Sequence, residues 1–215
     1  KLINQIPICR GLGSSASIIV GGLVVANRLA GQPFSDDQLL NFATELEGHP
    51  DNVAPALFGG VVISVMPEDE EIIYKKLAAP DLTAVVGVPD FQLSTTEARE
   101  VLPAQVTFND AIFNCSRIAL LVSALMSEDY DLLATCFEDR LHQDYRQELV
   151  PGMKSVIQET KDAGALAVAL SGAGPSIVAL ALDKEQQIGQ VMIQTFAQHG
   201  IEAKYQISEP TSNGV

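Results

Sequence analysis

The spacing of apolar and polar residues divides the chain into helix-period and strand-period segments. Leu2 to Ile8 alternates weakly and predicts a strand. Ile18 to Leu29 is apolar on almost every face (Ile18, Ile19, Val20, Leu23, Val24, Val25, Leu29), which predicts a central helix covered on both sides. Gly21 and Gly22 weaken that helix and predict close packing against a neighbour, and Gly31 ends it. Ser35 followed by Gln38 forms a capping box. Behind it, Leu39, Phe42, Ala43 and Leu46 recur at i, i+3, i+4 and i+7 as the inner face of a second helix. The turn-forming stretch His49-Pro50-Asp51-Asn52 closes it. Val53 to Leu57 predicts another short helix, and Gly59 to Val65 a buried strand. Met66 to Glu71, with Pro67 and a run of acids, reads as a solvated link, which sets a domain boundary between residues 68 and 69.

The second half reads as an α+β unit. Strands are predicted over Thr83–Val88, Ala165–Leu170, Ile177–Leu182 and Ile201–Ile207. Helices are predicted over Ser94–Val101, Asn109–Ser127, Asp131–Phe137, Arg140–Leu149, Met153–Ala163 and Lys184–Gln198, with a glycine turn at Ser171–Ser176. Strands and helices in this order suit a split βαβ, ferredoxin-like domain. No repeat or low-complexity tract is evident.

Composition narrows the function classes. With 215 residues, 47% hydrophobic and 19% charged, the chain has material for a proper core rather than a disordered tail. A net charge of −14 opposes nucleic acid and anionic membrane surfaces as partners. Cys9, Cys115 and Cys136 are odd in number, scattered, and without metal-site spacing, so they read as reduced thiols of a cytoplasmic protein. No signal-peptide pattern is visible. The longest apolar stretch, Ala16 to Ala30, is interrupted by Ser17, Asn27 and Arg28 and is too short to span a bilayer.

The candidate chemistry centres on Arg10-Gly11-Leu12-Gly13-Ser14-Ser15-Ala16-Ser17. Two glycines allow a tight turn without a Cβ in the way. The serines stand where a helix begins, with oxygens free for ligands. A glycine turn feeding a helix N-terminus is suited to holding phosphate. A Walker A loop is excluded, because no Lys follows the last glycine. Gly11-Leu12-Gly13-Ser14-Ser15-Ala16 fits the dinucleotide fingerprint literally, but Pro7 interrupts the lead-in and a second helix starts where an acid-ended strand belongs. On the helix that starts after Ser35, a step of about 100° per residue puts Glu47 beside Ala43 in the apolar stripe and Glu45 on the polar side. An acid on an inner face is either a paired core-edge carboxylate or a ligand.

Pro7-Ile8-Cys9-Arg10-Gly11-Leu12-Gly13-Ser14-Ser15-Ala16-Ser17 resembles the ATP-binding motif of the GHMP small-molecule kinases. Glu47-Gly48-His49-Pro50-Asp51-Asn52-Val53-Ala54-Pro55 and Ser171-Gly172-Ala173-Gly174-Pro175-Ser176 follow in the family's order, and the trio is similar to its homoserine-phosphorylating branch. The resemblance runs over the whole chain. It implies two α+β domains: a ribosomal-S5-domain-2-like N-terminal part over residues 1–68 and a ferredoxin-like part over residues 69–215. The family's opening strand and its Gly/Asn-containing substrate loop find no match here, so the N-terminal part is expected to be incomplete.

The implied activity is transfer of a phosphoryl group from ATP to L-homoserine in threonine biosynthesis, with Mg²⁺. The alternatives are a mevalonate- or sugar-type kinase, or a non-catalytic nucleotide-binding protein on the same fold. The resemblance assigns Pro7–Ser17 to ATP and Ser14, Ser15 and Glu47 to the metal. The family usually places more residues between this Glu and the His-x-Asp-Asn stretch, so Glu45 stays as a second candidate. His49, Asp51 and Asn52 meet the amino acid, with Asp51 facing its ammonium. Arg99 and Arg146 match the two arginines that hold its carboxylate, a task for which guanidinium is suited. Thr95 matches a position near the reacting hydroxyl, and Gly172 and Gly174 let the backbone come close. Glu47, Asp51 and Thr95 are the candidate catalytic residues. His142 and His199 read as surface residues, and the resemblance leaves a homodimer open.

Overall fold

The computed structural model describes residues 2–68 and 71–215, which divide into two units. One comprises Lys1–Ile8, Gly13–Pro80 and Pro210–Val215; the other comprises Cys9–Leu12 and Asp81–Glu209.

In the first unit, α1 (Ser14–Leu29) starts directly on Gly13, whose φ of 68° makes the turn into the helix. Next, α2 (Asp36–Glu47) starts on Ser35, whose hydroxyl accepts from the Gln38 N–H while the Gln38 side chain accepts from the Ser35 N–H. Gly48, at φ 90°, ends it. The short α3 (Val53–Phe58) completes a core with Ala16, Val20, Val24, Leu39, Leu40, Ala43, Val53, Ala54 and Leu57. Its partner element is a two-stranded antiparallel sheet of β1 (Val61–Val65) and β2 (Ile73–Leu77), with Val61 opposite Leu77.

Several sequence expectations change here. Leu2 to Ile8 forms no strand; the Asn4 side chain instead bonds both backbone groups of Ile6, and such local bonds compete with a ladder. The first helix buries one stripe, Ala16, Val20, Val24 and Asn27, while Val25 and Leu29 are exposed. A Cβ on Gly21 or Gly22 would meet nothing within 4 Å, so no neighbour explains them. The buried face of α2 is Leu39, Leu40, Ala43 and Thr44, whereas Leu46 is exposed and Phe42 packs edge-on against Phe34. The strand expected to be buried, β1, has Ile63 and Val65 exposed, and β2 was not anticipated. The link predicted over 66–71 includes residues 69 and 70, outside the described residues; β1 and β2 pair on either side of it, and the division into units falls between Pro80 and Asp81.

The second unit is a four-stranded antiparallel sheet in the order β4-β5-β3-β6, formed by β3 (Thr83–Pro89), β4 (Ala167–Leu170), β5 (Ile177–Ala181) and β6 (Ala203–Ser208). Between β3 and β4 run α4 (Thr95–Glu100), α5 (Phe108–Ser127), α6 (Leu133–Cys136), α7 (Gln143–Arg146) and α8 (Met153–Asp162); α9 (Glu185–Gln198) joins β5 to β6. This is the split βαβ, ferredoxin-like connection. Its core holds Val85, Val156, Ile177, Ile188, Met192 and Phe196, none more than 1% exposed. Each such side chain stabilises the unit by about 1.5–3 kcal/mol relative to leaving it in water. Gly87 in β3 leaves room for α9, since a Cβ there would stand 3.0 Å from the Met192 methyl.

The twenty-residue α5 is long and apolar enough, by length and composition, to cross a membrane. Arg117 stands at its midpoint, where a charge in a bilayer costs about 2.5–3.5 kcal/mol. Here that guanidinium pairs with Glu138 at 2.7 Å and lies over the Phe113 ring.

Candidate active site

The candidate residues fall on both units, and each unit gathers its own set. In the first, the start of α1 meets the end of α2. The Ser15 hydroxyl donates to Glu47 Oε2 at 2.8 Å. Glu47 lies seven residues after the fully buried Leu40, two helical turns along the same face, and is half-buried. Glu45 is exposed. Ser14 is buried and accepts a bond from Asn4 Nδ2 at 3.0 Å, a partner the sequence did not single out. Asn52 lies beside the turn, with its Oδ1 3.4 Å from where a Gly13 Cβ would stand.

His49 and Asp51 share the loop after α2 but do not bond, since Nδ1 and Oδ2 are 3.9 Å apart. Asp51 is exposed, whereas His49 Nδ1 is buried without a partner among the described residues. A buried imidazole nitrogen without a partner costs free energy that a bound polar group can recover. Among the described residues no group of three or more His, Cys, Asp and Glu side chains could hold a metal. The Ser15–Glu47 pair is an all-oxygen set of two, which fits Mg²⁺ because that ion keeps several waters.

The second unit holds Cys9–Leu12 against the glycine turn at 171–176. Ser171 Oγ donates to the Gly11 carbonyl at 2.8 Å, and the Ser176 N–H donates to the Arg10 carbonyl at 3.3 Å. Gly11 has φ 73°, and a Cβ on it would stand 2.1 Å from the Ser171 carbonyl oxygen. Only glycine meets both demands. Arg10 reaches Asp90 at 3.4 Å through Nη2, while its Nη1 is buried without a partner among the described residues. Sequence reasoning missed Ser171; a hydroxyl at the mouth of a glycine turn was its only signal.

Arg146 is 9% exposed and heavily bonded. Nε donates to the Ala98 carbonyl at 2.8 Å, Nη1 donates to the Gly172 carbonyl at 3.2 Å, and Nη1 lies 3.2 Å from His142 Nδ1. Nη2 makes no hydrogen bond to a described residue. Arg99, next to Ala98 on α4, is exposed, as is Thr95. Burial makes Arg146 hold its proton less firmly, Asp139 opposes this, and Arg99 adds to it. Both arginines therefore lie in one region of this unit.

His142, read from the sequence as a surface residue, has a side chain 37% exposed, but it has partners in Asp139 and Arg146 and stands one turn before the latter. That i, i+4 spacing was the signal available in the sequence. Burial lowers its affinity for a proton below the ordinary 6.5, Asp139 opposes the change, and Arg146 reinforces it. Burial also pushes the Asp139 carboxyl upward. The N–H groups of Gln143 and His142, the Asn114 amide and the His142 charge outweigh that and leave it below 3.8.

Residues 1–60 match the GHMP kinases N terminal domain, and residues 121–198 match the GHMP kinases C terminal domain. The chain is 47% identical over 213 residues to the homoserine kinase of Carboxydothermus hydrogenoformans, covering 99% of this chain and 69% of that protein. It is 47% identical over 215 residues to the homoserine kinase of Desulfitobacterium hafniense, covering all of this chain and 72% of the relative. Its fold superposes on the crystal structure of homoserine kinase from Cytophaga hutchinsonii with a TM-score of 0.91 at 35% identity, covering 98% of this chain and 69% of that one. The L. major mevalonate kinase in complex with R-mevalonate, at 21% identity and a TM-score of 0.67 over 94% of this chain and 67% of that one, shares the fold. The chain belongs to the GHMP kinase family, among its homoserine kinases.

Proposed function

We propose that the protein transfers the γ-phosphoryl group of ATP to the side-chain hydroxyl of L-homoserine, giving O-phospho-L-homoserine in threonine biosynthesis. The observation that carries this reading is Arg146, a buried guanidinium fixed by Ala98, Gly172 and His142 with Nη2 left over. A cation held in this way is preorganised for a carboxylate. A sugar has no carboxylate to offer it. Mevalonate has one but lacks the ammonium that Asp51 is suited to receive.

Phosphoryl transfer asks the protein for positioning and charge neutralisation. In this reading Pro7–Ser17 holds ATP, its phosphates bound by the loop N–H groups and the positive end of α1. Ser14, Ser15 and Glu47 would hold Mg²⁺, which neutralises phosphate charge when bound. The 2.8 Å Ser15–Glu47 contact supports that assignment, because both oxygens already converge. His49, Asp51 and Asn52 bind the amino-acid end, Arg99 and Arg146 the carboxylate, and Gly172 and Gly174 line its approach. Thr95 orients the hydroxyl. Asp51 is placed as a substrate ligand before a base.

The test is a coupled ADP-release assay on the intact, cytoplasmically expressed protein with Mg·ATP and homoserine, mevalonate or galactose. Turnover with homoserine above the other two is expected. Equal rates on galactose would end the amino-acid reading, and no turnover on any substrate would favour a non-catalytic nucleotide binder.

A further inference from the structure

The acceptor side of the Arg146–His142 contact has a consequence for how the substrate site is set. Arg146 carries its proton throughout the working pH range, so its Nη1–H is the donor. His142 Nδ1, 3.2 Å away, must then present a lone pair. That fixes His142 as neutral with its proton on Nε2, and Nε2 is 3.7 Å from Asp139 Oδ1. Asp139 is itself held in place. Its Oδ2 accepts from the His142 and Gln143 N–H groups at 2.8 and 2.7 Å, and its Oδ1 accepts from Asn114 Nδ2 at 2.7 Å. Gln143 Oε1 accepts from the Leu170 N–H at 2.9 Å, which ties α7 to the end of β4. The imidazole is thus oriented from the backbone outward, and its free nitrogen faces the guanidinium.

We infer that His142 is a positioning residue for homoserine, holding the Arg146 guanidinium in its carboxylate-binding orientation only while its Nδ1 is unprotonated. This rests on the reading of Arg146 as a carboxylate holder. A proton on Nδ1 removes the hydrogen bond and sets two cations 3.2 Å apart. The guanidinium then keeps only the Ala98 and Gly172 carbonyls. The groups that face this pair are Asp139 from the preceding loop, Arg146 on α7 and Arg99 from α4. Asp139 favours the imidazolium and Arg146 opposes it. Burial also opposes it and leads the shift, so the switch works on the acid side of 6.5. Above that the site is set; below it, homoserine loses its oriented partner while ATP does not.

The two side-chain replacements that separate orientation from packing are His142→Asn and His142→Leu. Asn carries its amide oxygen as many bonds from the backbone as His carries Nδ1, so it keeps an acceptor but cannot gain a proton. It is also a favoured residue at the N-cap position His142 occupies before α7. Leu keeps bulk and removes the acceptor. KM for homoserine and kcat are measured at saturating Mg·ATP from about pH 5 to 8, a range in which the substrate carboxylate and ammonium keep their charges.

Wild type should show KM for homoserine rising as pH falls below 6.5, and His142→Asn should hold its KM flat across the range. His142→Leu should raise that KM about tenfold at neutral pH, the effect of losing one hydrogen bond to a charged group, with ATP KM unchanged. The same acid rise of KM in His142→Asn as in wild type would overturn the inference, and so would a wild-type KM in His142→Leu. Arg146→Ala distinguishes the two layers of the argument. If it leaves KM for homoserine unchanged, the carboxylate reading has failed. If it raises that KM while both His142 variants behave as wild type, only the positioning role has failed. Should His142→Leu not fold, the pH profile of His142→Asn still decides.

Discussion

Gly11→Ala tests the geometry of the phosphate loop most directly. Gly11 has φ 73°, and a methyl group there would stand 2.1 Å from the Ser171 carbonyl oxygen and 2.8 Å from that of Gly174. Neither oxygen can step aside cheaply, because both belong to backbone. The Ser171 carbonyl already accepts from the Gly174 N–H at 2.9 Å, and the Ser171 hydroxyl donates to Gly11 itself. The left-handed conformation costs an L-residue about 1–2 kcal/mol, and forcing a methyl into a filled space adds about 1–3 kcal/mol. The sum is about 2–5 kcal/mol. Thermal unfolding should fall by roughly 2–4 °C for each of these. If the loop moves to escape the clash, ATP KM should instead rise by roughly 30-fold or more.

Gly13→Ala is the control in the same loop. Its φ of 68° carries the same left-handed cost, but its new methyl would lie 3.4 Å from the Asn52 side chain, an ordinary contact. Differential scanning fluorimetry and an ATP titration on the two variants should show Gly11→Ala the worse by at least 1 kcal/mol, on the order of the overpacking cost. Equal behaviour of the two, or a Gly11→Ala protein with wild-type melting and wild-type ATP KM, would refute the account of the loop braced by the 171–176 turn.

Glu47→Gln keeps the size of the side chain and removes a metal-holding charge, so kcat should fall roughly a hundred- to a thousand-fold; Glu45→Gln, on the exposed side, should change it little, and the reverse result in the ADP-release assay would move the metal site. Arg146→Ala should weaken homoserine by about 2–5 kcal/mol, Arg99→Ala, an exposed side chain, should weaken it less, both should spare ATP, and wild-type homoserine KM in both would discard the carboxylate assignment. For stability, His142 has a folded pKa depressed below its unfolded 6.5, so the unfolded chain binds the extra proton first and stability falls as pH drops from 6.5 toward the folded value. Asp139 is depressed below 3.8, so its contribution is present above 3.8 and is lost as pH falls through its folded pKa. Urea denaturation against pH should therefore show a first decline that His142→Asn removes and a second, more acid one that it leaves.

Features that depend on near neighbours in the chain were legible in the residues alone. The Ser35–Gln38 box, the glycine ends of α2 and the start of α1, and the order of strands and helices in the second unit all follow from short-range spacing. The three motifs carried the family, because a glycine turn at a helix start has few chemical uses. The place of Glu47 on the face of Leu40 and Ala43 also follows from a period of 3.6, and it stands within a hydrogen bond of Ser15, thirty-two residues away. Tertiary structure decided which apolar residues are covered. Val25, Leu29 and Leu46 have the composition of core but face outward, because a helix buries only the stripe its neighbour reaches. Tertiary structure also decided the company each functional side chain keeps. Ser171 meets Gly11 across 160 residues of chain, and Arg146 meets Ala98 and Gly172 from three separate segments. No local periodicity records such meetings, since they arise only when sheet and helices close around a shared core. The company of His142 stayed hidden for that reason: its isolation in the sequence disappears once Asp139 and the Arg146 guanidinium stand beside it.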